Sequence, residues 1–364
     1  VAALVRAVVV VLVAVKVQTK PKTATLTRFM FTYRTLVIGA GSWGTALATL
    51  ASLKGEVLLW SRDCKQVEAI NSTHHNPSYL SEFPIQDRVR GTCSFEEAKD
   101  FLTGDADGFL VILALPVAGM RDGVIQWSKW LPADIPIVWT CKGFESDTGL
   151  LPHEIIAKES GFTEVGVLSG PSFAKEVIQG LPVALTVATA SDMVIEIATN
   201  VLHNGSCRVY GSSDVVGVEV GGALKNIIAI ACGISDGLGL GLNARAALIT
   251  RGLTEMSRLG VAMGALHSTF YGLTGMGDLV LTATGDLSRN RQVGLAIASG
   301  RSLEDILSSG LTAEGVRCAQ ITLSKANELG VALPITEAVC DVLFGGVQPI
   351  DAVRKLLIRD AKSE

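Results

Sequence analysis

Thr35-Leu36-Val37-Ile38-Gly39-Ala40-Gly41-Ser42-Trp43-Gly44-Thr45-Ala46-Leu47 is the stretch whose reading decides the fold. Thr35 to Ile38 is a short apolar run, three glycines follow in the pattern G-x-G-x-x-G, and Thr45 to Leu53 has the composition of a helix. The glycine pattern acquires meaning only in a strand, turn and helix context, and that context is present. Gly39 permits the tight turn, Gly41 the close approach of backbone to a pyrophosphate, and Gly44 the packing of helix on strand. A pyrophosphate rests there on a helix N-terminus, where unpaired N–H groups and the helix dipole favour an anion.

A second apolar run, Glu56 to Trp60, follows at the distance expected of a dinucleotide-binding unit. It ends in Ser61-Arg62-Asp63. An acidic residue at this point holds the ribose 2'-hydroxyl of NAD, and an arginine accommodates the 2'-phosphate of NADP. With Arg62 first, the expectation is NADPH with tolerance of NADH. Further short apolar runs at Gly108 to Leu115, Ile135 to Thr140, Val165 to Leu168 and Val183 to Ala188 alternate with helical stretches, and the sheet is expected to run to about Tyr210. Such a series is how a doubly wound, mostly parallel α/β sheet reads in sequence. From Asp214 onward, alanine- and leucine-rich segments with helical spacing take over, among them Val215 to Cys232, Asn243 to Met263, Arg291 to Ala298, Leu303 to Ser308, Ala313 to Leu329 and Ile335 to Leu343. The expected architecture is a Rossmann domain over 30–213 followed by an all-α domain over 214–364, with a reactive cleft between them.

Length and charge fit two domains acting on a small molecule. The 364 residues carry 31 basic and 35 acidic side chains, a net charge of −4, with no basic block in the body of the chain that would form a nucleic-acid surface. The seven cysteines are scattered without a C-x-x-C pair and the five histidines lack ligand spacing. The expectation is a reduced, cytoplasmic protein without disulfide framework or metal. The first 34 residues are basic and acid-free, and the apolar stretch Ala7 to Val15 is too short to span a bilayer. Residues 1–29 read as a disordered leader or over-extended start, with a transit peptide as the alternative; no integral membrane segment is expected.

Candidate chemistry gathers after strand ends and on one helix. Lys225 lies in Gly221-Gly222-Ala223-Leu224-Lys225-Asn226-Ile227-Ile228-Ala229, where no residue three or four positions away is acidic. Burial there lowers an ammonium pKa toward neutrality and makes a general acid or base. Lys142 closes the run ending Thr140-Cys141-Lys142-Gly143. The next strand exit, Ser169-Gly170-Pro171-Ser172, opens a helix with a hydroxyl. Asp278 sits in the glycine-flanked Gly275-Met276-Gly277-Asp278, with Thr282 one helical turn on, and Ser288-Arg289-Asn290-Arg291 starts a helix suited to phosphate.

Taken together and in this order, these segments resemble the bacterial-type NAD(P)-dependent sn-glycerol-3-phosphate dehydrogenases, over roughly Thr35 to the C-terminus. The resemblance implies reduction of dihydroxyacetone phosphate to sn-glycerol 3-phosphate, feeding phospholipid synthesis. It makes Lys225 the proton donor, with Asn226 beside it. Lys142 is implied at both substrate and cofactor, Gly170 and Ser172 at the substrate, and Asp278, Ser288, Arg289 and Asn290 in the same site. Ser42, Trp43, Ala174, Arg289 and Glu314 are implied at the cofactor. Met276 and Ala283-Thr284-Gly285-Asp286 depart from the family pattern, in the loop before Ser288. A homodimer is expected by analogy. The alternatives are an NAD(P)-dependent 3-hydroxyacid dehydrogenase of similar build and a non-catalytic NAD(P)H-sensing protein.

Overall fold

A computed structural model describes residues 33–311 and 313–357. The expectations for residues 1–29 lie outside the described residues. The sheet half contains β1 (Tyr33–Ile38), α1 (Ser42–Ala51), β2 (Gly55–Trp60), α2 (Cys64–Thr73), β3 (Val89–Thr92), α3 (Phe95–Phe101), β4 (Gly108–Leu113) and α4 (Met120–Trp127). It continues through β5 (Ile137–Trp139), α5 (Pro152–Glu159), β6 (Val165–Ser169), α6 (Ala174–Ile178), β7 (Val183–Ala188), α7 (Asp192–Leu202) and β8 (Cys207–Ser212). The strand order is β3-β2-β1-β4-β5-β6-β7-β8. Every neighbouring pair is parallel except β6 with β7.

The apolar runs are strands because both sheet faces are covered. On β1, Val37 belongs to the core on one face, with Leu59 and Ile112, while Leu36 and Ile38 belong to the core on the other, with Leu58 and Val111. A parallel sheet places the C-terminal ends of β1, β2, β4 and β5 on one edge, where loops are free to bind ligands. This is an N-terminal Rossmann-type domain.

The C-terminal domain is all helical: α8 (Val215–Gly237), α9 (Gly241–Ala262), α10 (Asp278–Thr284), α11 (Arg289–Ala298), α12 (Leu303–Ser308), α13 (Glu314–Glu328), α14 (Pro334–Phe344) and α15 (Pro349–Leu357). The helix α8 is the axis of this domain. Val220, Leu224 and Ile228 face one apolar core and Ile227, Ile230 and Ile234 another, so the helix is buried on all sides. Among the described residues it alone is long and apolar enough to cross a membrane, yet 89% of its apolar window is buried inside the protein. Asp214 starts it, accepting from Gly217 N at 2.9 Å with one oxygen and from Leu266 N at 2.9 Å and Thr269 Oγ1 at 2.5 Å with the other.

One expectation is overturned. Cys64 and Cys93 form a disulfide with their Cα atoms 5.4 Å apart. Cys64 opens α2 just past β2 and Cys93 follows β3, and these neighbouring parallel strands end side by side. Their separation of 29 residues hides this proximity from any reading of local spacing. The other five cysteines are buried thiols.

Candidate active site

At the glycine loop, Gly39 adopts φ +113°, and a Cβ there would lie 2.5 Å from the Ala114 carbonyl oxygen. A Cβ on Gly44 would lie 1.9 Å from the Gly39 carbonyl oxygen, so α1 packs as closely as its sequence allows. Gly41, by contrast, has nothing within 4 Å of a Cβ position. It also precedes α1 without a side-chain cap, with no acidic residue in the first turn. Ser42 and Trp43 begin that helix, half-buried. The loop therefore has open space in front of uncapped N–H groups, which is the requirement for a pyrophosphate. At the end of β2, the Asp63 carboxylate caps α2, accepting from Lys65 N at 3.0 Å and Gln66 N at 3.3 Å, and Arg62 beside it is exposed.

The lysines meet on one carboxylate. Lys225 is 7% exposed, and its Nζ donates to Asp278 Oδ1 at 2.6 Å and to Thr282 Oγ1 at 3.1 Å. Lys142, reaching over from the end of β5, donates to Asp278 Oδ2 at 2.6 Å and to the Gly170 carbonyl at 3.4 Å. The partner that Lys225 lacks in its own helix thus comes from α10. A widened turn delivers it, with Gly277 N bonded to the Gly272 carbonyl five residues back at 3.1 Å. Turns of this kind recur at functional sites. Burial lowers the Lys225 pKa to about 8, aided by the Lys142 charge and opposed by Asp278. Burial alone would raise Asp278, but the two ammonium groups outweigh it and hold the carboxyl below its ordinary value.

The other expected residues make the following contacts. Asn226 accepts from Asn290 Nδ2 at 2.9 Å and donates to the Gly222 carbonyl at 3.2 Å, while Asn290 Oδ1 accepts from Gly315 N at 3.0 Å. Ser172, half-buried, donates to the Gly170 carbonyl at 3.2 Å. Ala174 begins α6. Ser288 is buried and caps α11 by accepting from Arg291 N at 3.2 Å. The two arginines of that helix start part company. Arg291 is held by Asp236 at 2.8 Å and Asp286 at 2.9 Å, whereas Arg289 acts electrostatically on Glu314. Glu314, at the start of α13, has its pKa raised by burial against the pull of Arg289, Lys142, Lys225 and Arg317. Lys142, Gly143, Glu314 and Arg317 line a hollow of about 30 Å³ together with Pro116 and Cys318. A larger groove, about 560 Å³ and apolar, lies instead among α8, α9, α14 and α15 and shares no lining residue with the Lys225, Asp278 and Lys142 triad.

A second buried carboxylate, on α8, is not among the residues expected from sequence. Glu219 is 2% exposed and accepts from Trp139 Nε1 at 2.8 Å and His153 N at 3.0 Å, and it also pairs with the His153 ring. Its signal is an acidic residue in an apolar helix, the same kind of exception that marks Lys225.

Models of the two halves of one protein family match this chain: the NAD-dependent glycerol-3-phosphate dehydrogenase N-terminus over residues 35–195 and its C-terminus over 214–354. The chain belongs to the NAD-dependent glycerol-3-phosphate dehydrogenase family. A glycerol-3-phosphate dehydrogenase from Coxiella burnetii, known from a crystal structure, is 36% identical, with 90% of this chain and 100% of that one aligned at a TM-score of 0.84. Glycerol-3-phosphate dehydrogenase from Saccharomyces cerevisiae is 25% identical, covering 89% of this chain and 99% of that one at a TM-score of 0.76. The Plasmodium falciparum enzyme of the same description shares the fold, at 20% identity, 92% and 97% coverage and a TM-score of 0.78. The protein is thus an NAD(P)-dependent oxidoreductase of the glycerol-3-phosphate dehydrogenase family, as its sequence motifs lead one to expect.

Proposed function

We propose that this enzyme reversibly reduces dihydroxyacetone phosphate to sn-glycerol 3-phosphate, in the cytoplasm, supplying phospholipid synthesis, with Lys225 as the proton donor. The observation that carries the reading is the Lys225, Asp278 and Lys142 cluster, which places two ammonium groups 2.6 Å from one buried carboxylate. Gly39, Gly41, Ser42, Trp43 and Gly44 would hold the dinucleotide, with Arg62, Lys142, Ala174, Arg289 and Glu314 along it. The open space before Gly41 and the uncapped start of α1 fit that group. The chemistry it supplies when bound is a hydride from C4 of its nicotinamide.

Lys225 gives its proton to the oxygen of the reacting carbonyl as that oxygen becomes an alkoxide. The positive charges of Lys225 and Lys142 stabilise the oxygen beforehand, in a site where burial strengthens the effect. Asp278 fixes both lysines, and Thr282, one turn on along the same helix, adds a second contact to Lys225. Gly170 and Ser172 bind the substrate at the end of β6. Arg289, with Ser288 and Asn290 at the start of α11, binds the phosphate, and Asn226 is oriented by Asn290. Holding the remote phosphate fixes the reacting carbon against the cofactor.

The reading divides the chain near residue 213 into a nucleotide-binding and a substrate-binding domain, and it includes a homodimer formed through the latter. Exposed Leu240 and Leu242 at the start of α9, and the apolar groove near them, support that association.

NADPH is the preferred cofactor on this reading, because the Asp63 carboxylate is committed to its own helix and Arg62 is exposed beside it. Arg62→Ala raises the KM for NADPH about ten- to hundred-fold, the worth of a charge-assisted hydrogen bond, and leaves that for NADH nearly unchanged. The test is oxidation of each nucleotide with dihydroxyacetone phosphate, followed at 340 nm, with 3-hydroxyacids assayed in the reverse direction. Turnover of 3-hydroxyacids with none of the ketone phosphate overturns the substrate assignment.

A further inference from the structure

Glu219, Gly222 and Asn226 stand three and four residues apart on α8 and so share one stripe of the helix. Its Glu219 and Gly222 face the exit of β5. Glu219 accepts from the indole of Trp139, the last residue of β5, three positions before Lys142. It also accepts from the backbone N–H of His153 in the first turn of α5, so the carboxylate is gripped from two elements of the sheet domain. At Gly222 a Cβ would lie 3.2 to 3.4 Å from Cγ, Cβ and Cδ of Lys142, so the lysine stem runs directly over the bare backbone of α8. Beyond it, Lys142 and Lys225 close on Asp278 at 2.6 Å each. The exit of β5 is therefore fastened to α8 through Trp139 before the point where Lys142 crosses it, and to α10 through Asp278 after it.

We infer that Glu219 is a positioning residue for catalysis: by holding Trp139 and the start of α5 it sets the register of Lys142, on the sheet domain, against Lys225, on the helical domain. Glu219 touches neither of them. It acts through Trp139 and the short Thr140-Cys141 link, and Gly222 sets how closely the Lys142 stem approaches. A burial role alone would be met by a leucine. An acceptor oxygen is required because Trp139 Nε1 and His153 N point at one place and would otherwise be left unsatisfied in a core position.

The inference rests on the reading of Lys142 and Lys225 as the charged pair at the substrate, and its test keeps the two apart. Steady-state rates are measured for the wild type, Lys225→Met, Glu219→Ala, Glu219→Gln, Trp139→Phe and the Glu219→Ala/Trp139→Phe double variant, per nucleotide-binding site titrated. Misplacing a reacting group by about an ångström costs on the order of a hundredfold in rate. Glu219→Ala and Trp139→Phe are accordingly expected to lower kcat about ten- to hundred-fold, with a smaller rise in the nucleotide KM because Lys142 also lies along the cofactor on that reading. Glu219→Gln keeps an acceptor for both N–H groups and recovers most of the rate. The double variant is no slower than the worse single one, since both remove one link. If Glu219→Ala does not fold, Trp139→Phe, which removes the donor along with one ring of a buried side chain, decides through kcat per titrated site, read beside its melting temperature. A folded Glu219→Ala or Trp139→Phe with kcat per site within twofold of wild type overturns the inference, as does a loss that is only a lower melting temperature. An active wild type with inactive Lys225→Met in that case leaves the reading of the site intact, whereas full activity in Lys225→Met removes the reading itself.

Discussion

Lys225→Met lowers kcat for ketone reduction about ten-thousand-fold while nucleotide binding is retained. General acid catalysis contributes about 10² to 10⁴ in rate, and a preorganised charge at a developing oxyanion about 10² to 10³. On the proposed mechanism Lys225 serves both roles, so the loss falls near the top of the first range. Methionine conserves the length of the stem in a helix that is buried on all sides and apolar on two faces, so folding survives. Asp278 keeps Lys142 as a partner in the variant, and no carboxylate is left uncompensated. Nucleotide titration by fluorescence quenching, alongside stopped-flow measurement of hydride transfer, separates the two properties. A variant that binds nucleotide and turns over within tenfold of wild type removes Lys225 from the chemistry.

Asp278→Asn produces the second large effect, on activity and stability together. Asp278 is 1% exposed and holds two ammonium groups. Removing one member of a buried charge cluster costs about 3 to 5 kcal/mol, because the remaining charge loses its compensation without regaining water. Here the lower end, about 3 kcal/mol, is expected. Lys142 retains some solvent, and Lys225 can shed its proton, its pKa already lowered to about 8 by burial. That escape has a catalytic consequence. Without the carboxylate the pKa of Lys225 falls further, the ammonium form is depleted at neutral pH, and reduction slows about a hundredfold while urea unfolding reports the lost stability. Wild-type stability in Asp278→Asn would mean that the three side chains are not coupled as their distances indicate.

The glycine loop, the strand series and the helical second domain are legible in the sequence because each is a local pattern. The limits are equally physical. β3 (Val89–Thr92) has four residues, Arg and Gly among them, and becomes a strand only because the edge of β2 is waiting for it. The disulfide between Cys64 and Cys93 depends on two strand ends being neighbours. Arg289 and Arg291 are equivalent in sequence, and it is Asp236, arriving from the end of α8, together with Asp286, that holds Arg291, while Arg289 acts on Glu314. Lys225 is conspicuous because an ammonium in an apolar helix violates the rule for its surroundings. Glu219 violates the same rule six residues earlier, and its partners Trp139 and His153 lie 80 and 66 residues away in sequence. Sequence identifies such charges as exceptions; the fold supplies what they hold.

The proton-donor role of Lys225 is tested most directly by the pH dependence of single-turnover hydride transfer in both directions. With a pKa lowered to about 8, Lys225 is an ammonium below that pH and an amine above it. Reduction needs the ammonium, so its rate constant is level below about pH 8 and falls tenfold per pH unit above. Oxidation of sn-glycerol 3-phosphate needs the amine, so its rate constant rises with pH and levels off past the same midpoint. Opposite slopes crossing near one pKa support the account. Profiles that are level, or of the same sign in both directions between pH 7 and 9, contradict it.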